Sequence, residues 1–84
     1  MLKYSIKLQS LADAELLFQA ANRCSNFPVT LVSGSYLIDA KSFLGVFSLV
    51  NRTPLTLQMN ATEDILQPFL QEINPLLCTY TPVP

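Results

Sequence analysis

The chain has 84 residues and a net charge of −1, and 50% of its residues are hydrophobic while only 13% are charged. This length corresponds to one domain with a modest core, and this hydrophobic content argues against disorder. The five basic residues are scattered, so the chain lacks the positive cluster that binding to nucleic acid or to a membrane surface requires. The chain contains no histidine, which excludes every catalytic mechanism that needs an imidazole.

The cysteines and the apolar runs bear on the location of the protein in the cell. Cys24 and Cys78 are too few and too far apart for a disulfide framework, and no CxxC motif indicates a metal or redox site. No apolar run approaches the roughly 20 residues of a membrane span, and residues 1–8 contain no signal-peptide core. We therefore expect a cytoplasmic protein without metal or cofactor, in which Cys24 is a buried thiol on a helix face.

A strand and a long helix are predicted first. Apolar and polar residues alternate from Leu2 to Leu8, which is the period of a half-buried strand. Ser10 is expected to cap the next helix, with Asp13 completing a capping-box-like pattern. Helical spacing then predicts a helix over Leu11–Cys24, whose apolar face comprises Leu11, Ala14, Leu17, Phe18, Ala21 and Cys24.

A β-hairpin and a short helix follow. The segments Val29–Val32 and Tyr36–Asp39 are predicted to pair through a turn in which Gly34 adopts a positive φ. Ser42 is positioned to cap a short helix, and the apolar residues after it are at helical spacing: Phe43, Leu44 and Phe47. Because this segment is apolar on most sides, part of its apolar surface should be exposed to solvent.

A fourth strand and a last helix complete the pattern. Residues 55–60 alternate between apolar and polar, which predicts the strand. The helix is expected to begin near Thr62, and Pro68 must either kink it or delay its start. Its apolar face comprises Ile65, Leu66, Phe69, Leu70 and Ile73. Asn74-Pro75 ends the helix, and residues 76–84 are predicted to be an extended tail that contains prolines.

The element order βαββαβα predicts an α+β fold. An antiparallel hairpin without any βαβ repeat favours an open-faced sandwich, with three helices on one face of a four-stranded antiparallel sheet. Residues 1–84 are predicted to form a single domain.

No enzyme activity is predicted from the sequence. Two glycines are too few for a phosphate-binding loop, and Glu63 and Asp64 are expected only to cap a helix.

The segment from Ile38 to Leu49 (IDAKSFLGVFSL) resembles the regulatory-serine region of HPr, the phosphocarrier of the bacterial sugar phosphotransferase system. Members of that family commonly carry an Ala/Leu-Lys-Ser-Ile-Met-Gly-Val-Met-Ser-Leu type sequence there, and the match is ungapped. The resemblance extends over residues 2–74, and the predicted element order is also that of the HPr fold. It therefore implies an HPr-like open-faced sandwich.

The second family motif is missing from this chain. HPr proteins open their first helix with Gly-Ile-His-Ala-Arg-Pro-Ala, in which the histidine carries a phosphoryl group and the arginine stabilises it. Counted back from Ser42 without gaps, the histidine position falls on Leu11 and the arginine position on Asp13. Leucine has no nucleophile and aspartate repels phosphate, so the resemblance implies a member that is not a phosphohistidine carrier. A residual carrier using Cys24 or Ser10 is disfavoured, because neither has a basic neighbour that could hold phosphate at the start of that helix.

Ser42 and its neighbours each allow two interpretations. In one interpretation Ser42 is only a helix cap, and the helical spacing of Phe43, Leu44 and Phe47 is that of plain core residues. In Gram-positive HPr proteins this serine is phosphorylated by an ATP-dependent kinase, and the phosphoprotein acts as a corepressor for a transcription factor. The resemblance therefore implies a phosphorylation site at Ser42, and a partner-binding surface comprising Lys41, Phe43, Leu44 and Phe47.

Two hypotheses of different classes remain open. The first is an HPr-like regulatory protein that binds protein partners, such as a serine kinase or a transcriptional regulator, and is switched by phosphate at Ser42. The second is a degenerate HPr-fold module, either structural or self-associating, without phosphate chemistry. The high apolar content and low charge favour the second hypothesis.

Overall fold

The computed structural model describes residues 2–24, 26–52 and 55–77, and of Cys24 only the backbone. The predicted burial of the Cys24 thiol, and Cys78 itself, lie outside the described residues. The elements are β1 (Leu2–Ile6), α1 (Leu11–Cys24), β2 (Val29–Ser33), β3 (Tyr36–Asp39), α2 (Phe43–Phe47), β4 (Leu55–Met59), α3 (Glu63–Glu72) and a 3-10 turn (Asn74–Leu76). The predicted α+β class and the order βαββαβα are confirmed.

The strands form one four-stranded antiparallel sheet in the order β1-β4-β2-β3. Side chains of one face are almost fully buried, and they include Val29, Leu31, Leu55, Leu57 and Met59. The opposite face carries partly exposed polar residues, among them Lys3, Ser5, Thr30, Thr56 and Gln58. The buried residues of the three helices belong to the same core cluster as the buried sheet face, so the helices cover that face and leave the other open.

Ser10 caps helix α1, as predicted, because its Oγ accepts from the Asp13 N–H at 3.3 Å. The pattern only resembles a capping box, because Asp13 Oδ2 accepts from the N–H of Gln9, at 2.8 Å, and not from that of Ser10. The apolar face predicted for this helix is wrong at Leu11, which is 49% exposed. At 3.6 residues per turn the buried stripe is centred on Ala14, Leu17, Ala20 and Ala21, and Leu11 lies on its flank.

The hairpin joins β2 to β3 through a two-residue turn between Ser33 and Tyr36. Gly34 has φ +60°, as predicted, which satisfies the positive φ that tight hairpin turns require.

The first strand, β1, ends earlier than predicted, at Ile6 rather than Leu8. Its continuation leaves the sheet because the Lys7 N–H bonds to the Leu76 carbonyl and the Leu8 carbonyl accepts from Asn51, although Leu8 stays buried.

Helix α3 begins at Glu63, so Pro68 lies inside the helix rather than delaying its start. The predicted apolar face is wrong at Ile65, which is 55% exposed, because the buried stripe runs through Leu66, Phe69 and Ile73. After the 3-10 turn, Leu77 forms a bridge with Ile6 of β1. Residues 78–84 of the predicted tail lie outside the described residues.

Candidate partner-binding surface

Ser42 caps helix α2, as predicted. Its backbone is extended (φ −103°, ψ 114°), and its Oγ accepts from the Gly45 N–H at 3.4 Å. Asp39 shapes the turn before it, because its carbonyl accepts from the Ser42 N–H at 3.0 Å and its Oδ1 accepts from the Lys41 N–H at 2.9 Å. The Ser42 residue is exposed, so the hydroxyl is both a cap and accessible from solvent.

Helix α2 exposes large apolar side chains, which confirms the prediction of partial exposure. Leu44 is 77% exposed and Phe47 is 47% exposed, whereas Val46 is fully buried against the core. Phe43 is half-buried. A helix of five residues has room to bury only one side, so the apolar residues on its other sides remain in contact with water.

The aromatic rings of α2 pack against each other and against Phe18 of α1. The ring of Phe18 meets the ring of Phe43 edge-on, with centroids 5.4 Å apart and an interplanar angle of 70°. Phe43 in turn stacks on Phe47, with centroids 6.0 Å apart and an angle of 15°. Such pairs contribute about 0.5–1.5 kcal/mol beyond their buried area. The partly exposed ring of Phe47 is therefore held in place by Phe43 and, through Phe43, by Phe18 of α1.

Gly45 allows α2 to lie very close to strand β3. A Cβ atom built at this glycine would be 2.5 Å from Cγ2 of Ile38, which is closer than real side chains approach one another. The absence of a side chain at Gly45 thus determines how near the helix lies to the sheet. The position of the exposed Leu44 and Phe47 depends on this contact.

The predicted site positions in α1 lie at its first turn. The Asn51 N–H donates to the Leu8 carbonyl at 2.6 Å, which joins the loop after α2 to the segment before α1. Leu11, at the first position of α1, exposes its side chain there. The carboxylate of Asp13 is engaged in the helix cap. At the other end of α2, the side-chain amide of Asn22 donates to the carbonyl of the half-buried Lys41 at 3.4 Å.

Two exposed apolar residues on β3 were not anticipated from the sequence. Tyr36 is 63% exposed and Leu37 is 69% exposed. Adjacent residues of a strand point to opposite faces, so their joint exposure reflects the position of β3 at the edge of the sheet. Local sequence carries no signal for this, because the order of strands in a sheet is set by contacts distant along the chain.

Comparisons of this chain with protein-family models, with curated proteins and with solved structures find no match. Across the described ranges, none of the helices is long and apolar enough to cross a membrane. In the same part of the chain, no three metal-ligating side chains lie close enough together to hold an ion.

Proposed function

We propose that this chain is an HPr-like regulatory protein, related to the sugar phosphotransferase system, that acts by binding protein partners and has no enzyme activity. The observation that carries the proposal is the exposure of Leu44 and Phe47 on a short helix whose cap, Ser42, is itself accessible. The element order βαββαβα, which the resemblance to HPr implies, supports the family assignment.

The contact surface of this proposal comprises Lys41, Phe43, Leu44 and Phe47. Complete burial of an exposed leucine or phenylalanine contributes about 1.5–3 kcal/mol, so a partner that covers Leu44 and Phe47 gains several kcal/mol. The edge-on contact of Phe43 with Phe18 favours binding further. A Phe43 ring that is already held in place loses little conformational freedom when a partner docks.

Ser42 is the proposed switch of this surface. A phosphate on the exposed hydroxyl adds about −1.5 to −2 charges at the start of α2, where the carboxylate of Asp39 accepts from the N–H of the preceding residue, Lys41. The modification leaves the core in place, because the exposed side chain of Ser42 contributes only a cap bond to Gly45. The expected effect is a change in the charge of the surface that partners contact, without a change of fold.

A carrier role is not part of the proposal. Leu11, at the position of the family's histidine, has no nucleophilic atom. Asp13, at the position of the family's arginine, carries a negative charge that already accepts a bond from the Gln9 N–H. Both features disfavour a phosphate at the start of α1.

The experiment uses intact mass after incubation with ATP and a Gram-positive HPr kinase. We expect one added phosphate on the unchanged chain and on Ser48→Ala, and none on Ser42→Ala. Ser48 is a matched control, because it is also exposed and lies at the other end of α2. Absence of phosphate, or phosphate that persists in Ser42→Ala, would contradict the proposed switch.

Partner binding is tested separately with the catabolite-repression transcription factor of a Gram-positive bacterium. Leu44→Lys should weaken its affinity for the phosphorylated chain, whereas Ile65→Lys should not. Ile65 is the matched control because it is an exposed apolar residue on α3 rather than on α2. Equal effects of both variants would refute the α2 surface.

The alternative is a degenerate HPr-fold module that is structural or self-associating and has no phosphate chemistry. One observation favours it, namely the exposure of Tyr36 and Leu37 on an edge strand. Under this alternative, sedimentation shows association that Ser42→Asp leaves unchanged. The result that separates it from the first proposal is that no HPr kinase modifies the chain.

A further inference from the structure

We propose that the chain forms a symmetric dimer in which strand β3 pairs antiparallel with β3 of a second copy, with Leu37 on the two-fold axis. The pairing joins two four-stranded sheets into one continuous sheet. It uses backbone atoms at the edge of the sheet, so it does not depend on the partner-binding role proposed for α2 or on phosphate at Ser42.

The two edges of the sheet differ in how they are protected. The edge at β1 meets the C-terminal part of the chain, through the bridge between Ile6 and Leu77 and the bond from the Lys7 N–H to the Leu76 carbonyl. Edge strands usually limit association by being very short, or through charged side chains, proline, a bulge or a covering segment. Strand Tyr36–Asp39 has only four residues and carries one charge, Asp39, at its end, but it contains neither lysine nor proline, and its register with β2 is continuous without a bulge.

The register of the hairpin determines which backbone groups face outward. The Ala40 N–H bonds to the Val29 carbonyl, and residue pairs of an antiparallel ladder alternate between bonded and non-bonded. Ile38 is therefore a bonded partner of Leu31, and Leu37 directs its N–H and carbonyl to the free edge. Among the described residues, no bond outside the ladder engages either group of Leu37.

The free edge is complementary to itself in one register. The outward carbonyl of Asp39 already accepts from the Ser42 N–H, so pairings that need this carbonyl lose a bond. Leu37 opposite Leu37 of the second copy makes two reciprocal N–H···O bonds without competition. This register also places Tyr36 opposite Ile38 of the other copy, and aromatic and β-branched residues form favourable cross-strand pairs.

The side chains along the edge fit a second copy. Tyr36 is 63% exposed and Leu37 is 69% exposed, and the two point to opposite faces of the sheet. In the dimer, each face of the junction therefore gains an apolar contact, with Leu37 against its symmetry mate on the open face. Because one short strand makes a small interface, the association should be weak and dependent on concentration.

Sedimentation velocity of the full chain up to about 1 mM, the Kd scale of weak complexes, measures this association. We expect the sedimenting species to change from monomer to dimer as the concentration rises. In Leu37→Lys the Kd of the dimer should rise at least about tenfold, because like charges then face each other across the axis. Ile65→Lys, at a residue that is 55% exposed on α3, should dimerise as the unchanged chain does. A monomer throughout this range, or a dimer that survives Leu37→Lys, overturns the proposal.

Oxidative cross-linking tests the register. Directly opposed residues of a bonded antiparallel pair have Cα atoms about 5.5 Å apart, which suits a disulfide. In a chain with Cys24→Ser and Cys78→Ser, Leu37→Cys should form a covalent dimer. Ser35→Cys should not, because four residues of offset separate the two copies by about 13 Å. Equal cross-linking of both variants, or cross-linking of neither, contradicts the pairing.

Discussion

Gly45→Ala tests how closely helix α2 is held against strand β3. A Cβ atom at Gly45 would be 2.5 Å from Cγ2 of Ile38. Carbon atoms pack at about 3.5–4.0 Å, so the helix or the isoleucine must move by about 1 Å. Ile38 cannot easily rotate away, because a β-branched side chain is stiff at χ1. Overpacking of this kind costs about 1–3 kcal/mol.

The same substitution also improves helix propensity, which offsets part of that cost. Alanine is about 1 kcal/mol better than glycine inside a helix. We therefore expect Gly45→Ala to lower the free energy of unfolding by about 1 kcal/mol, and by no more than about 2 kcal/mol. Urea denaturation followed by circular dichroism measures the change.

A double-mutant cycle separates the two contributions. Ile38→Ala removes the Cγ2 atom, so in that background Gly45→Ala should be neutral or stabilising by up to about 1 kcal/mol. Gly34→Ala is the matched control. It should cost about 1–2 kcal/mol because Gly34 has φ +60°, and nothing lies within 4 Å of its added Cβ, so Ile38→Ala should leave that cost unchanged. If Gly45→Ala stabilises the unmodified protein, the steric reasoning is refuted.

Three further predictions concern stability. Ser10→Ala should lower the free energy of unfolding by about 1 kcal/mol in urea denaturation, because it removes a helix cap, and an unchanged value would show that the cap bond contributes nothing. Phe69→Ala should cost about 3–5 kcal/mol and Ile65→Ala less than about 0.5 kcal/mol, because Phe69 is fully buried and Ile65 is 55% exposed; similar costs would contradict the described core. Burial, and then the charge of Glu63, raise the pKa of Tyr4 above its ordinary value of 10.0. The folded chain then keeps a proton that the unfolded chain has lost, so stability should decline as the pH rises above about 10, and Tyr4→Phe should reduce the decline measured by urea denaturation at each pH.

Features that depend on neighbouring residues were predictable from the sequence. The cap of α1 by Ser10, the positive φ of Gly34 and the cap of α2 by Ser42 all occur as predicted. Each requires only a particular residue type within a few positions of the element that it shapes. The exposure of Leu44 and Phe47 was predictable for a related reason, because a short helix that is apolar on most sides cannot bury all of them.

The periodic patterns gave the type of each element but not the direction of its buried face. The apolar residues of α3 include both Ile65 and Ile73, yet the first is exposed and the second is fully buried. In α1 the same uncertainty made Leu11 look like a core residue. A helical pattern defines a broad stripe, and the packing of the helix on the sheet decides which side of the stripe is covered.

The strand order β1-β4-β2-β3 was decided only by the tertiary structure. This order leaves Tyr36 and Leu37 exposed on an edge, although their sequence resembles that of a buried strand. The contact of Gly45 with Ile38 likewise arises only when α2 folds back over β3. Sequence by itself determined the elements and their caps, because local bonds form them. The edges and close approaches come from the simultaneous packing of segments far apart in the chain, which no local pattern encodes.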